Sequence, residues 1–283
     1  MRTYQRRSSA MALCGLTLVS LAVMGLILAS QSAAQSAPNV ATGVTYTVVA
    51  TGLAGPRGLL FAPSGDLYVV EQTSGDIAKI ATDGRVTRIA KGLSDPHDLA
   101  LDSQGNIYVA ETGANRVARI SPAGKVTTYI AGVARPVDLD FNPQGELFVC
   151  ELGTGRVLAF RSAEMVRVVA AGLKGPHGLA LGESGVTFIN EWSGNRIVKV
   201  GPDGRVVPLA DVEVPVGLAL GGSGDLYVAQ PQVGKVSRIN PAGVVVTLIG
   251  GLKEPRDPAF DAAGNLYVAE SGAGRILKLT GDF

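Results

Sequence analysis

Residues 92–131 read GLSDPHDLALDSQGNIYVAETGANRVARISPAGKVTTYIA, and residues 132–171 read GVARPVDLDFNPQGELFVCELGTGRVLAFRSAEMVRVVAA. The two stretches align without a gap over 40 residues, and the pattern recurs from Gly52, Gly172, Val212 and Gly251. Each copy opens with G-L-x-x-P-x-G/D-L and turns on Gly, Asp or Asn. It then runs through three further segments rich in Val, Ile, Leu and Tyr. Short β-branched segments punctuated by turn residues are strands. A fixed period of about 40 residues is the signature of a repeat architecture.

The spacing between starting points is 40 residues four times, then 39, and the last copy has only 33. That copy stops where its fourth strand should begin. The missing strand lies at the other end of the chain, where Thr45–Thr51 (TYTVVAT) matches the place of Arg85–Lys91 (RVTRIAK) in the first copy. Radial repetition of four-stranded units gives a β-propeller. The expectation is therefore an all-β, six-bladed propeller over residues 45–283, its last blade completed by the N-terminal strand. Closure of that kind leaves no open sheet edge at the seam.

Residues 1–34 are a different object. Arg2, Arg6 and Arg7 precede an apolar run from Ala10 to Ala29, followed by the small residues Ser32-Ala33-Ala34. This is the layout of a secretory signal peptide, with an uncleaved membrane anchor as the alternative on the criterion of about 20 apolar residues. Residues 35–44 read as a short linker. The expected location is secreted, periplasmic or cell-surface, and the expected state is a monomer with no membrane span once processed. Without residues 1–34 the chain carries 22 Lys and Arg against 24 Asp and Glu, a net charge of −2. No basic footprint remains, so nucleic acid is not an expected partner. Only Cys150 is left of the two cysteines, which excludes an intrachain disulfide, and its place in an apolar strand marks it as a buried small hydrophobe.

Two rings of residues follow from the repeat. The position after each proline reads Arg57, His97, Val137, His177, Val216, Arg256, and the end of each second strand reads Glu71, Glu111, Glu151, Glu191, Gln230, Glu270. Both are expected near one mouth of the central channel, where converging polar groups bind ligands. Both histidines of the chain fall in the first ring. The glutamates also have a structural reading. Glu111, Glu151, Glu191 and Glu270 each have an arginine five residues later, as an intrablade ion pair requires. Glu71 has Asp76 there instead, and is expected to lack a partner.

The pattern P-x-G-L-A-x-x-x-x-G-N-I-Y-V-A-E-x-x-x-N-R-I, clearest in Pro96–Ile120 and Pro176–Val200, resembles the NHL repeat and the repeats of streptogramin (virginiamycin B) lyases. The resemblance spans residues 45–283. It implies the propeller fold. In the lyases an E-P-H motif and a glutamate fourteen residues after the His hold magnesium, and that His moves the proton in a β-elimination. Here Asp95-Pro96-His97 is followed fourteen residues later by Glu111, with Asp in place of the first Glu and Arg57 in place of the family's second His. Blade six has Glu254-Pro255-Arg256 and Glu270, and blade four has His177 and Glu191 but Gly175. No blade reproduces the full set. The P-N-G and E-G-P motifs of lactonase-type propellers are absent.

Two classes of function remain open from the sequence. One is a lyase or hydrolase dependent on Mg2+ or another divalent cation, with His97 as the proton-transferring residue and Asp95 and Glu111 as ligands. The other is a binding module in which Arg57, Glu71, His177, Glu191 and Arg256 contact a peptide or an acidic small molecule.

Overall fold

The computed structural model describes residues 37–281. The candidate signal segment, residues 1–34, lies outside the described residues. Six antiparallel sheets are arranged as blades, each with its first strand innermost. The innermost strands are Pro56–Phe61, Pro96–Leu101, Pro136–Phe141, Pro176–Leu181, Leu218–Leu220 and Pro255–Phe260. Among the described residues the only helical elements are single 3-10 turns, such as Thr112–Ala114 and Trp192–Gly194. No helix there is long and apolar enough to cross a membrane.

The ring closes as the residue count requires. Thr45–Thr51 pairs antiparallel with Arg275–Thr280, Tyr46 lying opposite Leu279 and Thr51 opposite Arg275. The segment read as a linker does one thing more. Asn39–Val40 pairs with Gly250 and Ile249, adding a short fifth strand to the outer edge of blade five. The N-terminus therefore fastens two neighbouring blades.

The core is distributed over the contacts between blades. Successive side chains of a strand point to opposite faces, so Val69 packs toward blade six while Val70 packs toward blade two. Each of the six buried clusters joins one blade to the next. Cys150 is fully buried in the cluster between blades three and four, and burial pushes its thiol well above the usual range. It behaves as the small hydrophobe expected of it.

The seam depends on Ala50. This residue is buried with Leu53, Leu59 and Ile276, whereas its neighbour Val49 faces solvent. Ala50→Asp is expected to destabilise the fold by about 2–4 kcal/mol, because it buries an unpaired charge at the closure. Val49→Asp should change stability by under about 0.5 kcal/mol. Urea denaturation of both variants measures the contrast.

Candidate functional site

The chain enters every blade in the same strained way. The residue before each proline has a positive φ: Gly55 and Gly175, but also Asp95, Arg135, Val214 and Glu254, with φ of 48, 51, 41 and 50°. Such angles cost a non-glycine residue on the order of 1–3 kcal/mol. Immediately after the proline the register breaks. Pro96 pairs with Glu111, yet Leu99 already pairs with Val109, and the same bulge recurs in blades one, three, four and six. A bulge sets two residues against one on the neighbouring strand and re-aims their side chains. Two consecutive residues therefore line the channel. Arg57, His97, Val137, His177, Val216 and Arg256 form an upper ring, and Gly58, Asp98, Asp138, Gly217 and Asp257 lie in the layer beneath it.

The upper ring is a narrow cup of about 20 Å3, the space of one small polar group. Arg57 reaches across it from blade one, its Nη2 lying 3.1 Å from His177 Nε2 in blade four. Its Nη1 donates to Gln72 Oε1 at 2.9 Å. Gln72 Nε2 donates in turn to Asp95 Oδ1 at 2.6 Å and lies 3.2 Å from His97 Nε2. The two imidazoles stack with ring centroids 5.9 Å apart. Asp95 Oδ2 is 3.5 Å from His97 Nε2, while Arg256 turns outward to Glu254 at 3.1 Å.

Electrostatically the cup is unusual. Arg57 is only 8% exposed and, among the described residues, has no carboxylate within 4 Å, Asp95, Asp98 and Asp257 acting on it from further away. Burial, then repulsion from Arg256, lowers its pKa to about 10, so it stays charged at neutral pH. Burial and Arg57 push His97 down to about 2 and His177 well below the usual range, so both rings are neutral. The layer beneath is acidic. Asp98 Oδ2 accepts Leu139 N–H at 3.4 Å, and Asp257 Oδ2 accepts Leu59 N–H at 3.0 Å, each bond crossing to the next blade. Burial raises Asp98 to about 7 and holds Asp138 and Asp257 well above the carboxylate range. A Cβ at Gly58 would collide with the Asp98 carboxylate, and one at Gly217 with Asp257. Glycine in one blade thus makes room for aspartate in the next. Below these acids the channel opens into a cavity of about 320 Å3, lined by Asp140, Leu60, Leu181, Leu220, Phe61 and Phe260.

The second ring of sequence candidates does not face this cup. Glu71, Glu111, Glu191 and Glu270 are essentially fully buried. One oxygen of each accepts a backbone N–H seventeen residues upstream, from Ala54, Ser94, Lys174 and Lys253 respectively. The other oxygen pairs with an arginine, at 2.6 Å for Glu111–Arg116 and also in Glu191–Arg196 and Glu270–Arg275. Contrary to the expectation from Asp76, Glu71 has a partner. Arg88, one strand further out, chelates it at 2.7 and 2.8 Å. The sequence offset of five missed this pair because its base stands on the fourth strand rather than the third. Burial alone would raise Glu71, but the bonds from Arg88 and Ala54 outweigh it and hold its pKa below the usual value.

Glu111 therefore has both oxygens engaged away from Asp95 and His97. Among the described residues no group of three His, Cys, Asp or Glu side chains is placed to hold a metal ion. Asp95, His97 and Glu111 do not converge as a ligand set. The structure does bring together Arg57, His97, His177 and Arg256, with Asp95 at the rim. Two participants escaped the sequence reading: Gln72, and the aspartates of the lower layer. The restriction of the position after the post-proline residue to Gly or Asp was the signal for the second.

Residues 93–120, which contain Asp95, His97 and Glu111, match the model of the NHL repeat. Blade two is thus similar to an NHL repeat. A comparison with curated proteins gives no match. Among solved structures, the chain is similar to streptogramin B lyase at 16% identity and a TM-score of 0.67, covering 86% of this chain and 100% of that one. It is similar to a gluconolactonase from Xanthomonas campestris at 17% identity and a TM-score of 0.75, covering 87% and 95%. It is also similar to the PQQ-bound form of an aldose sugar dehydrogenase from Streptomyces coelicolor at 21% and 0.69, covering 87% and 100%. At these identities the likeness is one of fold. The residues that blade two sends into the cup have to be judged on their own geometry.

Two outcomes follow from that geometry. Arg88→Ala leaves Glu71 buried without its counter-charge and is expected to destabilise by about 1–3 kcal/mol in chemical denaturation. Asp98 titrates higher in the folded than in the unfolded chain, so its contribution to stability is full below the ordinary carboxylate range. That contribution is lost as pH rises through about 7. Asp98→Asn keeps an acceptor for Leu139 and removes the ionisation. It should be more stable than the parent at pH 8 by on the order of 1–2 kcal/mol, with no difference at pH 4.

Proposed function

We propose that this propeller is an extracytoplasmic binding module that captures a small molecule or peptide by an acidic group seated in the cup formed by Arg57, His97, His177 and Arg256. The observation that carries this reading is Arg57. A guanidinium buried to 8% exposure, with no carboxylate within 4 Å among the described residues, is a charge removed from water that Asp95, Asp98 and Asp257 offset only from a longer distance. An anionic group entering the cup supplies a counterion, and supplies it in a desolvated setting where charge-assisted hydrogen bonds are strongest. Trp192, 38% exposed, follows the strand-end glutamate of blade four just as Gln72 does in blade one. An exposed aromatic in that place offers a face for the ligand's apolar body. The signal-like segment at residues 1–34 supports a setting outside the cytoplasm.

A reading as a divalent-cation-dependent lyase or hydrolase has less support. Glu111 is committed to Arg116 and to the Ser94 N–H, and the His97 Nε2 atom already faces Gln72.

Succinate and citrate are simple probes of the binding reading. Both should raise the melting temperature of the parent protein, the shift growing with the logarithm of their concentration above the Kd. Arg57→Gln, itself no less stable than the parent, should lose at least about tenfold in affinity, or 1.4 kcal/mol. Equal stabilisation of parent and Arg57→Gln by both acids, or of neither, would set the proposal aside.

A further inference from the structure

Gln72 occupies a position that holds Thr112, Leu152, Trp192, Pro231 and Ser271 in the other blades, so the repeat gives no structural reason for an amide there. Its two ends meet groups whose hydrogen-bonding character is fixed. Arg57 can only donate, so the amide oxygen must face Nη1, as it does at 2.9 Å. On its other side the amide nitrogen donates to Asp95 Oδ1 at 2.6 Å, an acceptor oxygen that the amide oxygen could not face. That nitrogen is also the atom 3.2 Å from His97 Nε2. An N–H pointed at a neutral imidazole nitrogen requires that nitrogen to be the unprotonated one, which places the ring proton on Nδ1; Asp95 Oδ2, 3.5 Å from the same nitrogen, makes no hydrogen bond that would hold a proton there. The same logic fixes His177. Its Nε2 faces Arg57 Nη2, a donor, so its proton also sits on Nδ1.

The three buried atoms of the cup that have no hydrogen-bond partner are His97 Nδ1, His177 Nδ1 and Arg256 Nε. With both tautomers fixed, all three are N–H donors. The carboxyl groups of the floor already take N–H groups of the neighbouring blades, and burial raises their pKa values, favouring the uncharged acids. We propose that Gln72 is the positioning residue of the site: it holds His97 in the Nδ1–H form, so that the residues lining the cup carry unpaired N–H donors rather than acceptors, which selects a carboxylate or similar oxyanion over neutral or cationic groups. His97 is then a hydrogen-bond donor to the ligand, not a base. The part concerning ligand class rests on the reading of the cup as an anion site; the part concerning the tautomer does not.

The test combines imidazole NMR with anion titration on the full folded protein. Long-range 1H–15N spectra of the parent should show both histidines as Nδ1–H tautomers, neutral from pH 8 to pH 5. Acetate and inorganic phosphate should each shift those signals, and tetramethylammonium should not. Gln72→Glu replaces the donor with an acceptor, so His97 should turn to the Nε2–H form while His177 keeps its tautomer. The new carboxylate also pairs with Arg57, and acetate affinity should drop at least tenfold. Gln72→Met, similar in volume and without the hydrogen bonds, should leave His97 a mixture of tautomers and bind acetate with intermediate affinity. A parent protein with His97 as Nε2–H, or a Gln72→Glu variant with unchanged tautomer and acetate affinity, overturns the role given to Gln72. Correct tautomers in a parent protein that binds neither acetate nor phosphate overturn the ligand class, and with it the reading of the cup. Backbone amide spectra of each variant establish that the fold is intact.

Discussion

The structure depends on the closure of a ring of wedge-shaped interfaces. Each blade exposes two apolar faces, and neither is satisfied until the neighbour on that side is in place. With six clusters of buried side chains, each shared between two blades, there is no central core that could persist if one interface opened. Contacts across the seam join residue 50 to residue 276, so closing the ring carries the largest loop entropy in the molecule. The N-terminal strand meets that cost by pairing along its whole length with Arg275–Thr280. The added pairing of Asn39–Val40 on blade five ties the same segment to the blade before the seam.

A second constraint acts at the channel mouth. Four non-glycine residues with positive φ precede the prolines, and bulges follow them in five blades. The strain is held by bonds from the body of the blade. In five blades the buried glutamate at the end of the second strand grips the backbone N–H just ahead of the residue before the proline, and an arginine pairs with its second oxygen. In blade five Gln230 does the same work in reverse, donating to the Glu213 carbonyl and accepting from Ser237. The glutamate ring is thus the anchor of the entry loops, and the post-proline ring is what the anchored loops present.

This division explains what could be read from the sequence. Blade number, the 40-residue period and the closing strand were legible because they are periodic, and the convergence of Arg57, His97, His177 and Arg256 followed from equal positions in equal repeats. Glu111 and Glu191 looked like ligand contacts because they share an end of the blade with the histidines; only the pleat, which sends alternate residues to opposite faces, turns them away from the channel. The pairing of Glu71 with Arg88 broke the offset seen elsewhere, and no periodic argument finds a base that has moved one strand outward. Asp98 and its counterparts were hidden for a related reason. A regular strand would have pointed them away from the residues before them, and the bulge reverses that.

What the repeat cannot explain is Arg57. A buried charge contributes less to stability than an apolar group of similar volume packed in its place, and Val137 and Val216 fill the equivalent positions in blades three and five. The same holds for the neutral histidines, whose Nδ1 atoms, like Arg256 Nε, are buried without a hydrogen-bond partner. Asp98, Asp138 and Asp257 lie close beneath the guanidinium, but burial favours their protonated forms, so they neutralise it poorly. A site arranged in this way stays electropositive above a floor of carboxyl groups. In the proposed binding mode an anionic ligand supplies the charge that the buried acids supply poorly.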